Sequence, residues 1–108
     1  MDNVRSLILD LAVEDFYGLW ELVWRLQTCD PGLSRERAIQ AARSALVALH
    51  EQDLVELYRG TKGDPLPITA ADVPSLLAEE ESWNEPREGT GTLLFGATQK
   101  GEEVYYKA

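Results

Sequence analysis

The chain has 108 residues, 44% of them hydrophobic and 27% charged, which fits one globular domain able to bury a core without metals or disulfides. Its one cysteine, Cys29, excludes an internal disulfide and a cysteine-rich zinc site, and fits a reducing compartment. Ten basic residues against nineteen acidic ones give a net charge of −9, the wrong sign for a lone binder of duplex DNA, whose affinity comes from neutralising phosphates.

In chain order, Val4, Leu7, Ile8 and Leu11 recur at helix spacing behind Asp2 or Asn3 as a cap, which predicts a helix over 2–12. Arg5, Asp10, Glu14 and Asp15 interrupt this run. It is therefore neither a secretory leader nor a membrane span, and a cytoplasmic location is expected. Beyond a break at Glu14 and Asp15, a second stripe runs through Val13, Phe16, Tyr17, Trp20, Val23 and Trp24. Leu19, Leu22 and Leu26 widen it, predicting a helix over 14–28 that is apolar around most of its circumference. Cys29-Asp30-Pro31-Gly32 is a turn. Ser34 then caps a helix over 35–52 whose apolar face is Ala38, Ile39, Ala42, Ala45, Leu46 and Leu49.

At Leu54-Val55-Glu56-Leu57-Tyr58 the period shortens to two, a strand over 54–59 that ends at Gly60-Thr61-Lys62-Gly63. Asp64-Pro65-Leu66-Pro67 is extended, because proline restricts itself and its predecessor. A short helix over 70–81 starts either from a capping box at Thr69 or from Asp72 with Pro74 in its first turn, and Trp83 falls in the loop beyond. Leu93-Leu94-Phe95 predicts a second strand over 92–97, antiparallel to the first across a 60–91 insertion, with a closing helix after Thr98. The expected architecture is a single, mainly helical α+β domain over 1–108.

Two segments carry a family likeness. Ala48-Leu49-His50-Glu51-Gln52-Asp53-Leu54-Val55-Glu56-Leu57 resembles the place in bacterial winged-helix regulators where a recognition helix ends and the wing begins. Asp53 stands where those proteins commonly have glycine. Phe95-Gly96-Ala97-Thr98-Gln99-Lys100-Gly101 resembles their second wing strand, which usually ends in Leu-Thr-x-x-Gly; here Ala97 holds the leucine position. The resemblance, confined to Leu49–Gly63 and Leu93–Tyr106, implies a winged-helix-like domain with a two-stranded antiparallel wing and a helical insertion between the wing strands. It also implies a helix laid in the major groove and a wing on the backbone.

On that resemblance the candidate DNA-contact face is Arg35, Arg37, Gln40, Arg43 and Ser44 on the long helix, with Arg59 and Lys62 on the wing. The plainer reading is a solvated face of mixed charge, since Glu36 and Glu51 share it. Phe16, Leu19, Trp20, Leu22 and Leu26 are the candidate dimer or partner face, against the plainer reading of simple core. Only Thr98–Ala108 follows the second strand, so a dimer is expected to use helix 14–28. Glu79, Glu80, Glu81, Trp83, Glu85 and Glu88 are either a solvated loop or a negative patch that steers a basic partner.

Catalytic constellations are not expected. His50, the sole imidazole, sits near the end of the long helix, where a cation meets the carbonyl dipole. Cys29 has no basic neighbour in sequence, and Gly60-Thr61-Lys62-Gly63 follows a strand without opening a helix, so it is not a phosphate loop. Neither metal nor cofactor is expected. The leading expectation is an acidic cytoplasmic binding module acting on a protein, such as a basic toxin or a regulator that it neutralises. The alternative is a transcriptional regulator reading DNA through helix 35–51 and the wing.

Overall fold

The computed structural model describes residues 3–61, 63–85 and 92–107. Its elements run α1 (Asn3–Glu14), β1 (Tyr17–Gly18), α2 (Leu19–Cys29), α3 (Arg35–Glu51), β2 (Val55–Thr61), β3 (Asp64–Pro67), α4 (Val73–Ala78), β4 (Thr92–Ala97) and α5 (Gln99–Lys107). The strands form one antiparallel sheet in the order β1-β4-β2-β3. The pairing expected across the insertion is present: β2 meets β4 from Val55↔Ala97 to Gly60↔Thr92.

The expected helix over 14–28 is corrected at its start. Asp15 Oδ1 accepts the Phe16 N–H at 2.7 Å, and the chain then extends so that Tyr17 and Gly18 pair with Phe95 and Leu94. Only β4 makes that extension worthwhile, because it offers a free edge there. α2 then opens at Leu19, with the Glu21 carboxylate accepting the Gly18 N–H at 3.0 Å. The insertion is also more divided than its periodicity suggests. Asp64–Pro67 is a fourth strand on the outside of β2, with Pro65 and Pro67 opposite Gly60 and Tyr58. The expected helix over 70–81 breaks at Glu79, whose backbone is extended, leaving α4 between 3-10 turns at Ala70–Asp72 and Glu80–Trp83. Pro74 does lie in the first turn of α4, though Asp72 makes no side-chain cap there.

The main core joins α1, α2 and α3 to one face of the sheet. All six residues of the expected α3 face are buried. Val55, Leu57, Leu93 and Phe95 supply the sheet side, together with Ile8 and Leu11 of α1 and Leu19 and Leu22 of α2. Strand alternation accounts for this set, since paired residues share a face.

The turns that follow α3 and β4 each have a local physical basis. α3 ends with the Leu54 N–H donating to the Leu49 carbonyl at 2.9 Å and the Asp53 N–H to His50 O at 3.0 Å. That crossed pair needs a left-handed residue, and Asp53 supplies it at φ 60°. Thr98 then caps α5. Its Oγ1 accepts the Gly101 N–H at 2.9 Å and donates to the Asp53 carbonyl at 2.6 Å, while its N–H donates to Leu54 O at 3.1 Å. Gly101 sits so close to β2 that a Cβ there would lie 2.0 Å from the Leu54 carbonyl oxygen. At the far end of α5, the Tyr105 hydroxyl donates to the Asp10 carboxylate on α1, and this bond holds the phenol above its usual pKa.

Candidate functional site

The flank of α3 on which DNA contacts were expected is partly occupied by the insertion. Ser34 accepts the Arg37 N–H at 3.2 Å and starts the helix, placing Arg35 and Arg43 two turns apart. Arg35 donates to Asn84 Oδ1 at 2.7 Å and to the Trp83 carbonyl at 3.4 Å. Arg43 Nε donates to the Leu77 carbonyl at 2.7 Å, with its guanidinium 6.0 Å from the centre of the Trp83 ring. Trp83 Nε1 donates to the same Leu77 carbonyl at 2.9 Å, and the Ser82 hydroxyl donates to the Leu76 carbonyl at 2.6 Å. The last carbonyls of α4, which have no partner within that helix, are thus satisfied by side chains. Both arginines thus hold the insertion in place, Arg35 from an exposed position and Arg43 from a half-buried one. Arg35, Arg37, Gln40 and Ser44 are exposed on α3, as is Arg59 on β2; Lys62 lies outside the described residues.

Trp83 is therefore not part of a solvated acidic loop. It is 1% exposed and among the largest side chains in the core. Glu79, Glu80, Glu81 and Glu85 around it are exposed, while Glu88 lies outside the described residues. The turn that carries Trp83 packs against α2, which explains a second correction. Leu19 and Leu22 are fully buried and Leu26 nearly so. They face the domain's own core, and the wide apolar circumference of α2 serves the insertion as well as α3 and the sheet. Phe16 precedes the helix, Trp20 is half-buried, and Trp24 reaches outward, 61% exposed.

The structure gathers a second set of residues that sequence spacing did not connect. On the sheet face away from the main core, Tyr58 and Gly18 both pair with Leu94, and Glu56 pairs with Gly96. Aromatic rings cover the two glycines. A Cβ at Gly96 would meet the Phe16 ring at 2.9 Å, and one at Gly18 would meet Trp20 Nε1 at 2.7 Å. Phe16 packs edge-on to Tyr58 with ring centres 5.0 Å apart. Leu94, 1% exposed, lies under these rings and outside the main core cluster. The Tyr58 hydroxyl donates to Glu56 Oε2 at 3.0 Å, and burial, reinforced by that bond and the Glu56 charge, pushes its pKa up to about 12. The strand period at 54–59 placed Glu56 and Tyr58 on one face, but bringing Phe16 and Trp20 to them required the register of β4 with both neighbours.

The chain matches no family model, no curated protein and no solved structure. Among the described residues no helix is long and apolar enough to cross a membrane, and no cluster of three potential metal ligands occurs.

Proposed function

We propose that the chain is a winged-helix-like module that acts by binding a basic protein. The scaffold reading is supported by the order helix, short strand, helix, helix, strand, with β4 inserted between β1 and β2, and by the physical basis found for the Asp53 turn and the Thr98–Gly101 cap. The observation that carries the functional reading is the commitment of Arg35 and Arg43 to the carbonyls of the insertion. It ties the exposed Arg35 and the half-buried Arg43 to a segment whose Glu79, Glu80, Glu81 and Glu85 carboxylates are exposed. With a net charge of −9, this surface repels a polyanion and attracts a cationic partner. The exposed free thiol of Cys29 supports a reducing, cytoplasmic setting. Transcriptional regulation remains the second reading, because Arg37, Gln40, Ser44 and Arg59 are exposed.

Affinity capture with the wild type and with a Glu79→Lys, Glu80→Lys, Glu81→Lys, Glu85→Lys variant tests this, alongside gel shifts on mixed-sequence duplex DNA. The proposal requires a basic protein retained by the wild type and lost by the variant, with no duplex shifted. Duplex binding that Arg37→Ala and Gln40→Ala abolish would install the regulator reading in its place.

A further inference from the structure

The aromatic cluster on the outer face of the sheet is poorly explained as core alone. Two glycines, Gly18 and Gly96, leave room for rings to lie against the backbone of β1 and β4. Phe16, Trp20 and Tyr58 are nonetheless only half-buried, and Trp24, one helical turn beyond Trp20, stands largely in solvent. Carboxylates border the rings. Glu56 is hydrogen-bonded to Tyr58, and Asp15 precedes Phe16 and holds its N–H. Glu21 accepts the Gly18 N–H beside the Trp20 indole. Of the nearby basic residues, Arg25 beside Trp24 is half-buried, and the exposed Arg59 after Tyr58 pairs with Leu93 and so belongs to the other face of the sheet. Aromatic faces attract cations through the ring quadrupole, most strongly for tryptophan, and neighbouring carboxylates add a long-range field of the same sense.

We infer that the Phe16–Trp20–Trp24–Tyr58 face, bordered by Asp15, Glu21 and Glu56, is a docking surface for an arginine- or lysine-bearing segment of a basic partner. This rests on the basic-partner reading and adds a surface separate from the Glu79–Glu85 edge. The occupant is set by charge complementarity, with arginine stacking on Trp24 and Trp20 while the carboxylates pair with neighbouring cations. Trp83, sealed in the core, serves as an internal reference.

The test is a titration of the isotope-labelled chain with an oligo-arginine peptide, followed by NMR, with an oligo-glutamate peptide as control. The expected result is salt-sensitive movement of the Trp20 and Trp24 indole signals and the Gly18 and Gly96 amides, with the Trp83 indole unmoved. Trp24→Ala, at an exposed site that leaves the fold intact, should weaken binding about two- to fivefold, and Glu56→Gln should weaken it further as salt is lowered. Peptide-induced shifts confined to 79–85 would overturn this inference and leave the basic-partner reading standing. The same outer-face signals moving with protein concentration alone would overturn it in favour of a second copy. No response to the peptide, together with no basic protein captured, would remove both.

Discussion

Replacing Gly101 by alanine reverses the usual sign of a helix substitution. In an exposed helix interior, alanine is more stable than glycine by about 1 kcal/mol. At Gly101 the new methyl would stand 2.0 Å from the Leu54 carbonyl oxygen, 3.0 Å from its carbon and 3.3 Å from its Cα, all backbone of the chain entering β2. No rotamer change relieves that contact, so the start of α5 must withdraw from β2 by more than an ångström. The withdrawal strains packing at a cost of about 1–3 kcal/mol. It also stretches the Thr98 bonds to Leu54 O and Asp53 O and the Lys100 ammonium bond to Gln52 O, each worth about 0.5–1.5 kcal/mol. After the propensity gain is set against these losses, Gly101→Ala should destabilise by about 2 kcal/mol or more, a fall in Tm of about 10 °C or more for a domain of this size. Thermal and urea unfolding followed by circular dichroism read this directly, with an unchanged urea slope showing that both proteins unfold in one step. Glu103→Ala against Glu103→Gly, at an exposed position of the same helix, supplies the ordinary sign as a control. A Gly101→Ala protein with a Tm equal to or above the wild type would refute the argument, since α5 would then not be pinned to β2 as described.

Four further outcomes follow from the same geometry. Thr98→Ala removes the cap of α5 and its tie to Asp53, and should cost about 1–2 kcal/mol in urea unfolding. Asp53→Gly relieves a left-handed backbone while adding unfolded-state freedom, and should raise stability by about 0.5–1 kcal/mol in the same assay. Trp83→Ala empties the pocket between α2, α3 and α4 and should cost about 3–5 kcal/mol, with loss of the buried indole's fluorescence. Tyr58 titrates at about 12 instead of 10.0, so the stability of its neutral phenol is whole below the ordinary value and is lost as pH rises through about 12. Difference absorbance against Tyr58→Phe should show that high titration, and Glu56→Gln should lower it only in part, because burial is the larger cause.

What could be read from the residues was what neighbouring residues decide. α3 is legible because its cap, Ser34, and its apolar face lie within one continuous stretch, and the partnership of β2 with β4 because β2 carries a period of two and β4 the apolar run Leu93-Leu94-Phe95. The start of α2 was hidden because Tyr17 and Gly18 are extended only while β4 is alongside. The burial of Trp83 is hidden in the sequence because it depends on Arg43 and α2, both far away along the chain, as well as on the nearby Leu77 carbonyl. Arg35 and Arg43 looked like contacts for a ligand for the same reason: the carbonyls they meet lie 34 or more residues further along the chain. The outer-face cluster needed two registers at once, which a sequence pattern does not contain.

The prolines of β3 govern what this sheet can join. The Ile68 N–H donates to Leu57 O, so in the alternating antiparallel ladder positions 64, 66 and 68 turn toward β2, while 65 and 67 turn toward the open side. Those are the two prolines, and neither has an N–H to offer. The far margin of the sheet is β1, only two residues long. An incoming strand therefore finds too few donors on one side and too little length on the other. Both margins thus resist growth of the sheet from molecule to molecule.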